Sequence, residues 1–107
     1  MADLNGKNIA IIATDGFEDS ELTSPKEAVE SAGATTKVIS TEDGEIEGKK
    51  GAKVAVNAKT AEASADEFDA LILPGGTVNA DTIRTDADAV ALVKAFKDAG
   101  KPIGVIC

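Results

Sequence analysis

The sequence predicts an α/β fold in which a mostly parallel sheet is covered by helices on both faces. Three observations support this prediction. Short apolar runs of strand length alternate with segments of helical character, an order typical of parallel strands joined by crossover helices. Hydrophobic residues make up 43% of the 107 residues and aromatic residues only 3%, so the core must consist mainly of alanine and aliphatic side chains. The first of the apolar runs is also unbroken, as expected for a strand buried on both faces.

The first predicted elements are a strand and a helix. Asn8–Ala13 (NIAIIA) is a continuous apolar run, which favours a central strand. Ser24, Pro25 and Glu27 have the pattern of a helix start, in which serine caps the helix, proline takes the first position and glutamate closes a capping box. Because proline interrupts the backbone hydrogen bonds of a helix, residues 18–23 are expected to form a separate helical turn.

A second strand, a hairpin and two short elements follow. Thr35–Ser40 (TTKVIS) predicts a strand. Residues 44–56 combine a polar, glycine-punctuated stretch with an alternating one, which predicts an exposed β-hairpin at the surface. Residues 64–67 (SADE) have the pattern of a capping box on a short helical turn. Ala70–Leu73 (ALIL) predicts a short buried strand that stops at Pro74.

The last predicted elements are a helix and a strand. Thr85 is predicted to cap a helix over Asp86–Ala99, whose apolar residues recur on one face. Ile103–Ile106 predicts a further buried strand, which leads to Cys107. In open sheets of this class, ligands bind beyond the carboxyl ends of the strands. Residues that follow the predicted strands are therefore candidates for a functional site.

Two of these strand ends offer a nucleophile and backbone donors. Cys107, the single cysteine, would have its sulfur exposed above the sheet if the chain turned sharply into a helix there, and the helix start would stabilise a thiolate. Gly75 and Gly76 can direct their N–H groups towards the oxygen of a reacting carbonyl. The alternatives are an inert cysteine that packs as a small apolar side chain and an ordinary turn.

A third strand end offers a carboxyl group. Glu18 follows the first strand near a predicted helix start, and a thiolate facing it, together with burial, would raise its pKa. It can then donate a hydrogen bond to the sulfur or act as a general acid or base. The alternative is an exposed acid at a helix start, a favourable placement. Since a parallel sheet gathers its strand ends, we expect Cys107, Glu18, Gly75 and Gly76 to form one site.

Charge and composition exclude several partners and sites. The chain has 11 Lys and Arg residues against 19 Asp and Glu residues, a net charge of −8, which argues against nucleic acid and against an anionic membrane surface. One cysteine and no histidine leave no internal disulfide, no His-ligated metal site and no His-based dyad within these residues. The sequence shows no membrane-spanning apolar run and no signal-peptide pattern, so a cytoplasmic protein is expected.

Three motifs, DGFEDSEL, FDALILPGG and GKPIGVIC, together closely resemble the PfpI family of intracellular cysteine hydrolases and general stress proteins, within the wider ThiJ/PfpI superfamily. The resemblance implies a flavodoxin-like sandwich related to class I glutamine amidotransferase domains. It implies that Cys107 is the nucleophile, that Glu18 contacts its sulfur, and that Gly75 and Gly76 supply the oxyanion N–H groups. It also implies a homodimer or a higher homo-oligomer.

The resemblance has one departure. In the PfpI branch a histidine directly follows the nucleophile and more helices and strands come after it, whereas Cys107 is the last residue here. We therefore expect residues 1–107 to be the N-terminal portion of a single PfpI-like domain that continues beyond Cys107.

The expected function is that of a stress-response, cysteine-dependent hydrolase or lyase. Its substrates would be reactive carbonyls and glycated adducts, as for a glyoxalase III or deglycase, or peptides, as for a peptidase. Thiolate attack needs no cofactor. One alternative is a redox-sensing stress protein or chaperone in which the same thiol is oxidised. A nucleotide- or flavin-binding module is disfavoured, because residues 14–18 hold one glycine and two acids that would repel phosphate.

Overall fold

A computed structural model describes residues 4–106. The strands are β1 (Asn8–Ile12), β2 (Thr35–Ser40), β3 (Glu45–Glu47), β4 (Lys53–Ala55), β5 (Ala58–Lys59), β6 (Ala70–Leu73) and β7 (Ile103–Val105). The helices are α1 (Asp19–Ser31), α2 (Thr77–Thr85) and α3 (Ala87–Asp98), with a single 3₁₀ turn at Ala65–Glu67. Five strands form a parallel sheet in the order β5-β2-β1-β6-β7, and β3 and β4 form a separate antiparallel hairpin.

The sheet grows in two directions from its central strand. From β1 the chain adds β2 and β5 on one side, and β6 and β7 on the other. The direction changes between β1 and β6, which pair with Ile9 opposite Ala70 and Ile11 opposite Ile72. In sheets of this class, ligands bind at such a switch point, beyond the carboxyl ends of the strands. The predicted α/β class and mostly parallel sheet are confirmed, and the architecture is flavodoxin-like.

Helices cover both faces of this sheet, as predicted. Side chains along β1 and the following residue alternate between two clusters: Ala10 and Ile12 face α3, and Ile11 and Ala13 face α1. The cluster at α3 is completed by Ile39, Ala65, Phe68, Leu71, Leu92 and Phe96. The cluster at α1 is completed by Phe17, Leu22, Val38 and Ile46. The central strand is therefore buried on both faces, which explains its unbroken apolar run.

The first helix is continuous, so the predicted break before Pro25 is wrong. Ser24 does not cap a helix, because α1 begins after Glu18 and includes Pro25. A proline inside a helix costs about 3 kcal/mol, but contacts with other elements fix the turn that precedes it. The Asp19 carboxylate accepts two backbone N–H bonds from the hairpin, and Leu22 is fully buried.

Two elements are absent from the sequence-based prediction. The segment that forms α2 lacks apolar periodicity, and within it only Asn79 is buried. Its presence changes the start of α3: the cap is Asp86, whose side chain accepts a 2.7 Å hydrogen bond from the Ala89 N–H, and not the predicted Thr85. The strand β5 has two residues, which is too short for a periodic pattern to reveal.

The remaining predicted elements are confirmed. The strands β1, β2, β6 and β7 lie within a residue of their expected bounds, and the hairpin forms as expected. The expected burial of the last strand is wrong, because β7 lies at the edge of the sheet formed by the described residues and Val105 is 62% exposed. The predicted capping box is also present, since Ser64 Oγ accepts from the Asp66 N–H at 3.3 Å and Glu67 Oε1 accepts from the Ser64 N–H at 3.0 Å. Local signals therefore sufficed for these elements, but not for the starts of α1 and α3.

Candidate functional site

Two loops at the switch point between β1 and β6 are in direct contact. The backbone N–H of Glu18 donates a 2.9 Å hydrogen bond to the carbonyl of Gly75. The next residue, Gly76, has a φ of +111°, and a Cβ atom there would collide with the carbonyl oxygen of Gly16 and lie 3.0 Å from the Glu18 nitrogen. Glycine at position 76 thus permits the close approach. The structure brings together the backbones of Glu18, Gly75 and Gly76.

The carboxylate of Glu18 is held by two lysines of the hairpin. Lys49 Nζ lies 2.6 Å from Oε2 and Lys50 Nζ lies 3.5 Å from Oε1, and the Glu18 side chain is 19% exposed. The hydrogen bond from Lys49 is the main cause that holds the pKa of Glu18 below its usual value, and it outweighs the opposing effect of desolvation. This direction is opposite to the rise expected beside a thiolate. That expectation depended on Cys107, which lies outside the described residues.

The hairpin is bonded to the loop after β1 and to the start of α1. Asp19 Oδ1 accepts from the Lys50 N–H at 3.0 Å, and Oδ2 accepts from the Ala52 N–H at 2.8 Å. Asp15 Oδ1 accepts from the Glu47 N–H at 2.8 Å. The backbone hydrogen bonds, that of Lys50 first, lower the pKa of Asp19. This docking brings the hairpin lysines to the candidate site.

A second carboxylate, that of Glu21, reaches the same loops. Its Oε1 accepts a 2.8 Å hydrogen bond from the N–H of Gly75. A Cβ atom built on Gly75 would collide with this oxygen and would lie 2.8 Å from the carbonyl oxygen of Ile106. The Glu21 carboxylate, the Gly75 amide and the chain after β7 therefore meet at one point. Glu21 is not among the residues predicted from the sequence, although its i+3 spacing from Glu18 places both acids on one side of the helix start.

Cys107 lies outside the described residues, but its chain neighbour Ile106 is described. The N–H of Ile106 donates a 3.0 Å hydrogen bond to the carbonyl of Leu73, which continues the pairing of β7 with β6. The Ile106 carbonyl, which is bonded covalently to the Cys107 nitrogen, lies beside Gly75.

One buried polar residue ties the two loops together from inside. The side chain of Asn79 is 0% exposed. It contacts Thr14 after β1, and Pro74 and Gly75 after β6. No sequence pattern marks this residue, because an asparagine in a helix without apolar periodicity usually faces solvent. Its role becomes visible only when both loops are seen together.

An apolar groove borders the polar groups. It has a volume of about 220 Å³, and its walls include Leu73, Ile83, Val105 and Ile106. Gly75 is one of its lining residues, so the residue whose amide binds Glu21 also borders an apolar surface. Such a combination suits a ligand with an apolar body and a reactive polar group.

Residues 4–106 contain neither a metal-binding cluster nor a membrane-spanning helix. In that part of the chain, no group of three or more His, Cys, Asp or Glu side chains is arranged to hold a metal ion. Across the same residues, no helix has the length and apolar character needed to cross a bilayer.

The chain is similar to known proteins over most of its length. Residues 7–107 match the sequence profile of the DJ-1/PfpI family. The chain is 42% identical over 104 residues to general stress protein 18 of Bacillus subtilis, covering 95% of this chain and 60% of that protein. It is 42% identical over 103 residues to protein/nucleic acid deglycase 2 of Escherichia coli, covering 94% of this chain and 59% of that protein.

A solved structure shows the same fold. The ThiJ/PfpI domain protein from Brachyspira murdochii superposes with a TM-score of 0.86 at 33% identity, and the match covers 94% of this chain and 58% of that one. The chain therefore spans less than two thirds of the length of each of these relatives.

Proposed function

This chain belongs to the DJ-1/PfpI family, and we propose that it is part of a stress-response enzyme in which the Cys107 thiolate attacks the carbonyl carbon of its substrate. The substrate classes are a reactive aldehyde, a glycated adduct or a peptide. The name of the Escherichia coli relative, a deglycase, supports a hydrolase-like activity, and that of the Bacillus subtilis relative supports a role in stress. The observation that carries the proposal is the meeting of the Gly75 amide, the Glu21 carboxylate and the Ile106 carbonyl at one point.

The proposed first step is a nucleophilic addition. The Cys107 sulfur forms a bond to the carbonyl carbon, and the π-electron pair of the carbonyl moves onto its oxygen. The N–H groups of Gly75 and Gly76 are the donors proposed to stabilise that oxygen. The carboxylate beside them takes up the proton that the Cys107 thiol loses on forming the thiolate, and then passes it to this oxygen. Hydrolysis or rearrangement of this adduct then gives the product, and no cofactor is consumed.

The two carboxyl groups suit different tasks. Glu21 is hydrogen-bonded to a proposed oxyanion donor, so it is placed to exchange a proton with the substrate oxygen. Glu18 is ion-paired with Lys49 and Lys50, which favours its anionic form. Glu18 stays a candidate for the contact with the Cys107 sulfur, and Glu21 joins it as a second candidate.

Redox sensing is the second candidate function. The stress-protein name of the Bacillus subtilis relative suits a sensor as well as an enzyme. In a sensor, peroxide would oxidise the Cys107 thiolate to a sulfenate and then a sulfinate. A nearby carboxyl group would then hydrogen-bond the oxidised sulfur, and no carbonyl compound would be consumed.

We propose further that the protein acts in the cytoplasm as a homodimer or a larger homo-oligomer. The resemblance to the PfpI family supports both points, and the net charge of −8 suits a protein that stays away from anionic membranes and nucleic acid. Sedimentation velocity over a range of concentrations tests the oligomeric state, and a monomer throughout that range would contradict it.

The Cys107→Ser variant tests the proposed function. We expect at least one of three activities to be measurable for the wild type and lost in the variant: consumption of methylglyoxal, release of amines from glycated adducts, or cleavage of peptides. Both proteins should have the same melting temperature. Turnover that is unchanged in the variant would refute the nucleophile. Mass spectrometry after peroxide treatment decides the alternative, because ready sulfinate formation without any turnover in the wild type would favour the sensor.

A further inference from the structure

Asn79 uses both ends of its buried side-chain amide. Oδ1 accepts a 2.7 Å hydrogen bond from the Thr14 N–H and a 3.1 Å hydrogen bond from Thr14 Oγ1. Nδ2 donates to the carbonyl oxygen of Pro74 at 2.9 Å and to that of Gly75 at 3.2 Å. The side chain is 0% exposed, so water cannot replace these partners and each bond matters to the local structure.

The chemistry of the partners allows only one orientation of this amide. The backbone N–H of Thr14 can only donate, so it must face Oδ1. The carbonyl oxygens of Pro74 and Gly75 can only accept, so they must face Nδ2. An ionised aspartate at position 79 would keep the first contact and would place a carboxylate oxygen against two carbonyl oxygens. The position therefore requires a group that accepts on one side and donates on the other.

These contacts with the Pro74 and Gly75 carbonyls also fix the direction of two N–H groups, because each carbonyl shares a peptide group with the N–H of the next residue. In a trans peptide, the C=O of one residue and the N–H of the next point in opposite directions, and residues 4–106 contain no cis peptide bond. Holding the Pro74 carbonyl therefore sets the direction of the Gly75 N–H, which points to Glu21 Oε1. Holding the Gly75 carbonyl sets the direction of the Gly76 N–H in the same way.

The Gly75 carbonyl is held from two sides. Asn79 Nδ2 donates to it from α2, and the backbone N–H of Glu18 donates to it from the loop after β1 at 2.9 Å. Both lone pairs of this oxygen are thus occupied, and the peptide plane between Gly75 and Gly76 cannot rotate without breaking both bonds. The Thr14 contacts of Asn79 anchor the plane to the end of the central strand.

We propose that Asn79 is the positioning residue that aims the Gly75 and Gly76 amides at the reacting oxygen of the substrate. The identity of these amides as oxyanion donors rests on the proposed function. Their direction does not, because it follows from the hydrogen bonds of Asn79 and the planarity of the peptide group. The two parts are therefore tested separately.

The first test measures direction without any substrate. Residual dipolar couplings of the Gly75 and Gly76 N–H vectors are compared between the wild type and Asn79→Asp, with Leu92→Ala as a control that weakens the core at α3. We expect both couplings to change in Asn79→Asp and to keep their wild-type values in Leu92→Ala. Unchanged couplings in a folded Asn79→Asp protein would overturn the proposal.

The second test measures the kinetic consequence. In Asn79→Asp we expect kcat for methylglyoxal to fall by about 10²-fold, the effect of losing an oxyanion donor, with KM changed by less than about threefold. If Asn79 only stabilised the fold, Leu92→Ala and Asn79→Asp would lose the same fraction of kcat when their melting temperatures are equally lowered. That result would overturn the proposal. A wild type without turnover would refute the proposed function, and the dipolar couplings would still decide the positioning role.

A second variant, Asn79→Ser, is used in case the Asn79→Asp protein does not fold. Asn79→Ser leaves a hydroxyl that reaches fewer of the four partners, and the same couplings are measured on it. Changed directions for Gly75 and Gly76 in this variant support the proposal. If neither variant yields a folded protein, Asn79 is needed for folding itself, and a specific positioning role is refuted.

Discussion

The backbone N–H of Gly75 donates a 2.8 Å hydrogen bond to Oε1 of Glu21. A proposed oxyanion donor is therefore already bound to a carboxylate. A substrate oxygen can accept from this N–H only if the carboxylate turns aside. The oxygen then lies next to a group that can pass on to it the proton taken from the Cys107 thiol. Binding of the substrate oxygen and transfer of a proton to it are thus coupled at the Gly75 amide. A substitution of Glu21 therefore tests the site most directly.

Glu21→Gln separates the proton-transfer role from the structural one. The glutamine side chain keeps an oxygen that accepts from the Gly75 N–H, but it cannot transfer a proton. We expect a melting temperature close to that of the wild type and a fall in kcat of about 10²- to 10⁴-fold, the usual contribution of a general acid or base. Turnover of methylglyoxal and of glycated adducts provides the measurement.

Glu18→Gln is the matched control, since it neutralises a carboxylate one helical turn away that is bound to Lys49. Alkylation of Cys107 by iodoacetamide as a function of pH measures which carboxylate influences the thiol. We expect the larger change in Glu21→Gln. The reverse order would return the role beside the sulfur to Glu18.

Lys49→Gln tests the electrostatic state of Glu18. Lys49 Nζ lies 2.6 Å from Glu18 Oε2, and this hydrogen bond is the main cause of the lowered pKa of Glu18. A carboxyl group whose pKa is lowered on folding stabilises the protein above its unfolded pKa and loses this effect as the pH falls through its folded pKa. We therefore expect the variant to melt below the wild type at neutral pH, and the difference to vanish in acid.

The same variant has a site-specific readout. A carbon-13 NMR titration of the Glu18 carboxyl should give a higher pKa in Lys49→Gln than in the wild type. Lys37→Gln, which removes a charge from an exposed position on β2, should leave that pKa unchanged. An equal pKa in all three proteins would show that Lys49 does not control the ionisation of Glu18.

The parts of the fold that the sequence predicts are those with a local signal. After Asn8, β1 is apolar as far as Ile12 because the strand is covered on both faces, so its pattern alone identifies it. The continuity of α1 through Pro25 has no such signal. It depends on bonds such as those from the Asp19 carboxylate to the hairpin turn, and these form only after distant segments have come together.

The candidate site also has a part that the sequence predicts and a part that it does not. The ends of parallel strands can be read from the sequence, and this places Glu18, Gly75 and Gly76 near one another. The partners that set their chemistry come from elsewhere, since Lys49 belongs to the hairpin and Asn79 to a helix without apolar periodicity. Neither contact could be predicted, because each depends on how two elements dock and not on the pattern within either one.

Gly76→Ala tests whether the two loops need their close approach. Gly76 has a φ of +111°, and a Cβ atom there would lie 3.1 Å from Phe17 Cα and closer still to the carbonyl oxygen of Gly16. Gly44→Ala is the matched control, because Gly44 has a φ of +107° and a Cβ atom added there would meet no other atom within 4 Å. Both variants carry backbone strain of about 1–2 kcal/mol.

Only Gly76→Ala must also push the loops apart. We expect its free energy of unfolding to fall by about 1–3 kcal/mol more than that of Gly44→Ala, as measured by urea denaturation. Its turnover should fall as well, since the Gly76 amide is a proposed donor. Equal losses of stability in the two variants would show that the loops tolerate a wider separation than the structure indicates.

Asp19→Asn tests how the hairpin is held over the site. The Asp19 carboxylate accepts from the Lys50 and Ala52 N–H groups, and an amide keeps only one accepting oxygen. We expect hydrogen exchange at one or both of these N–H groups to become faster by about tenfold, while exchange within the central sheet is unchanged. In the wild type, the pKa of Asp19 is lowered chiefly by the Lys50 bond, so protection should persist at neutral pH and be lost as the pH falls through that pKa.

The control is Asp43→Asn, which removes an exposed charge 3.8 Å from Lys59 and should leave exchange at the hairpin turn unchanged. A loosened hairpin also moves Lys49 away from Glu18 for part of the time. The pKa of Glu18 should therefore rise in Asp19→Asn, though less than in Lys49→Gln. Faster exchange at Lys50 with no change in the pKa of Glu18 would mean that the lysines follow the carboxylate independently of the hairpin backbone.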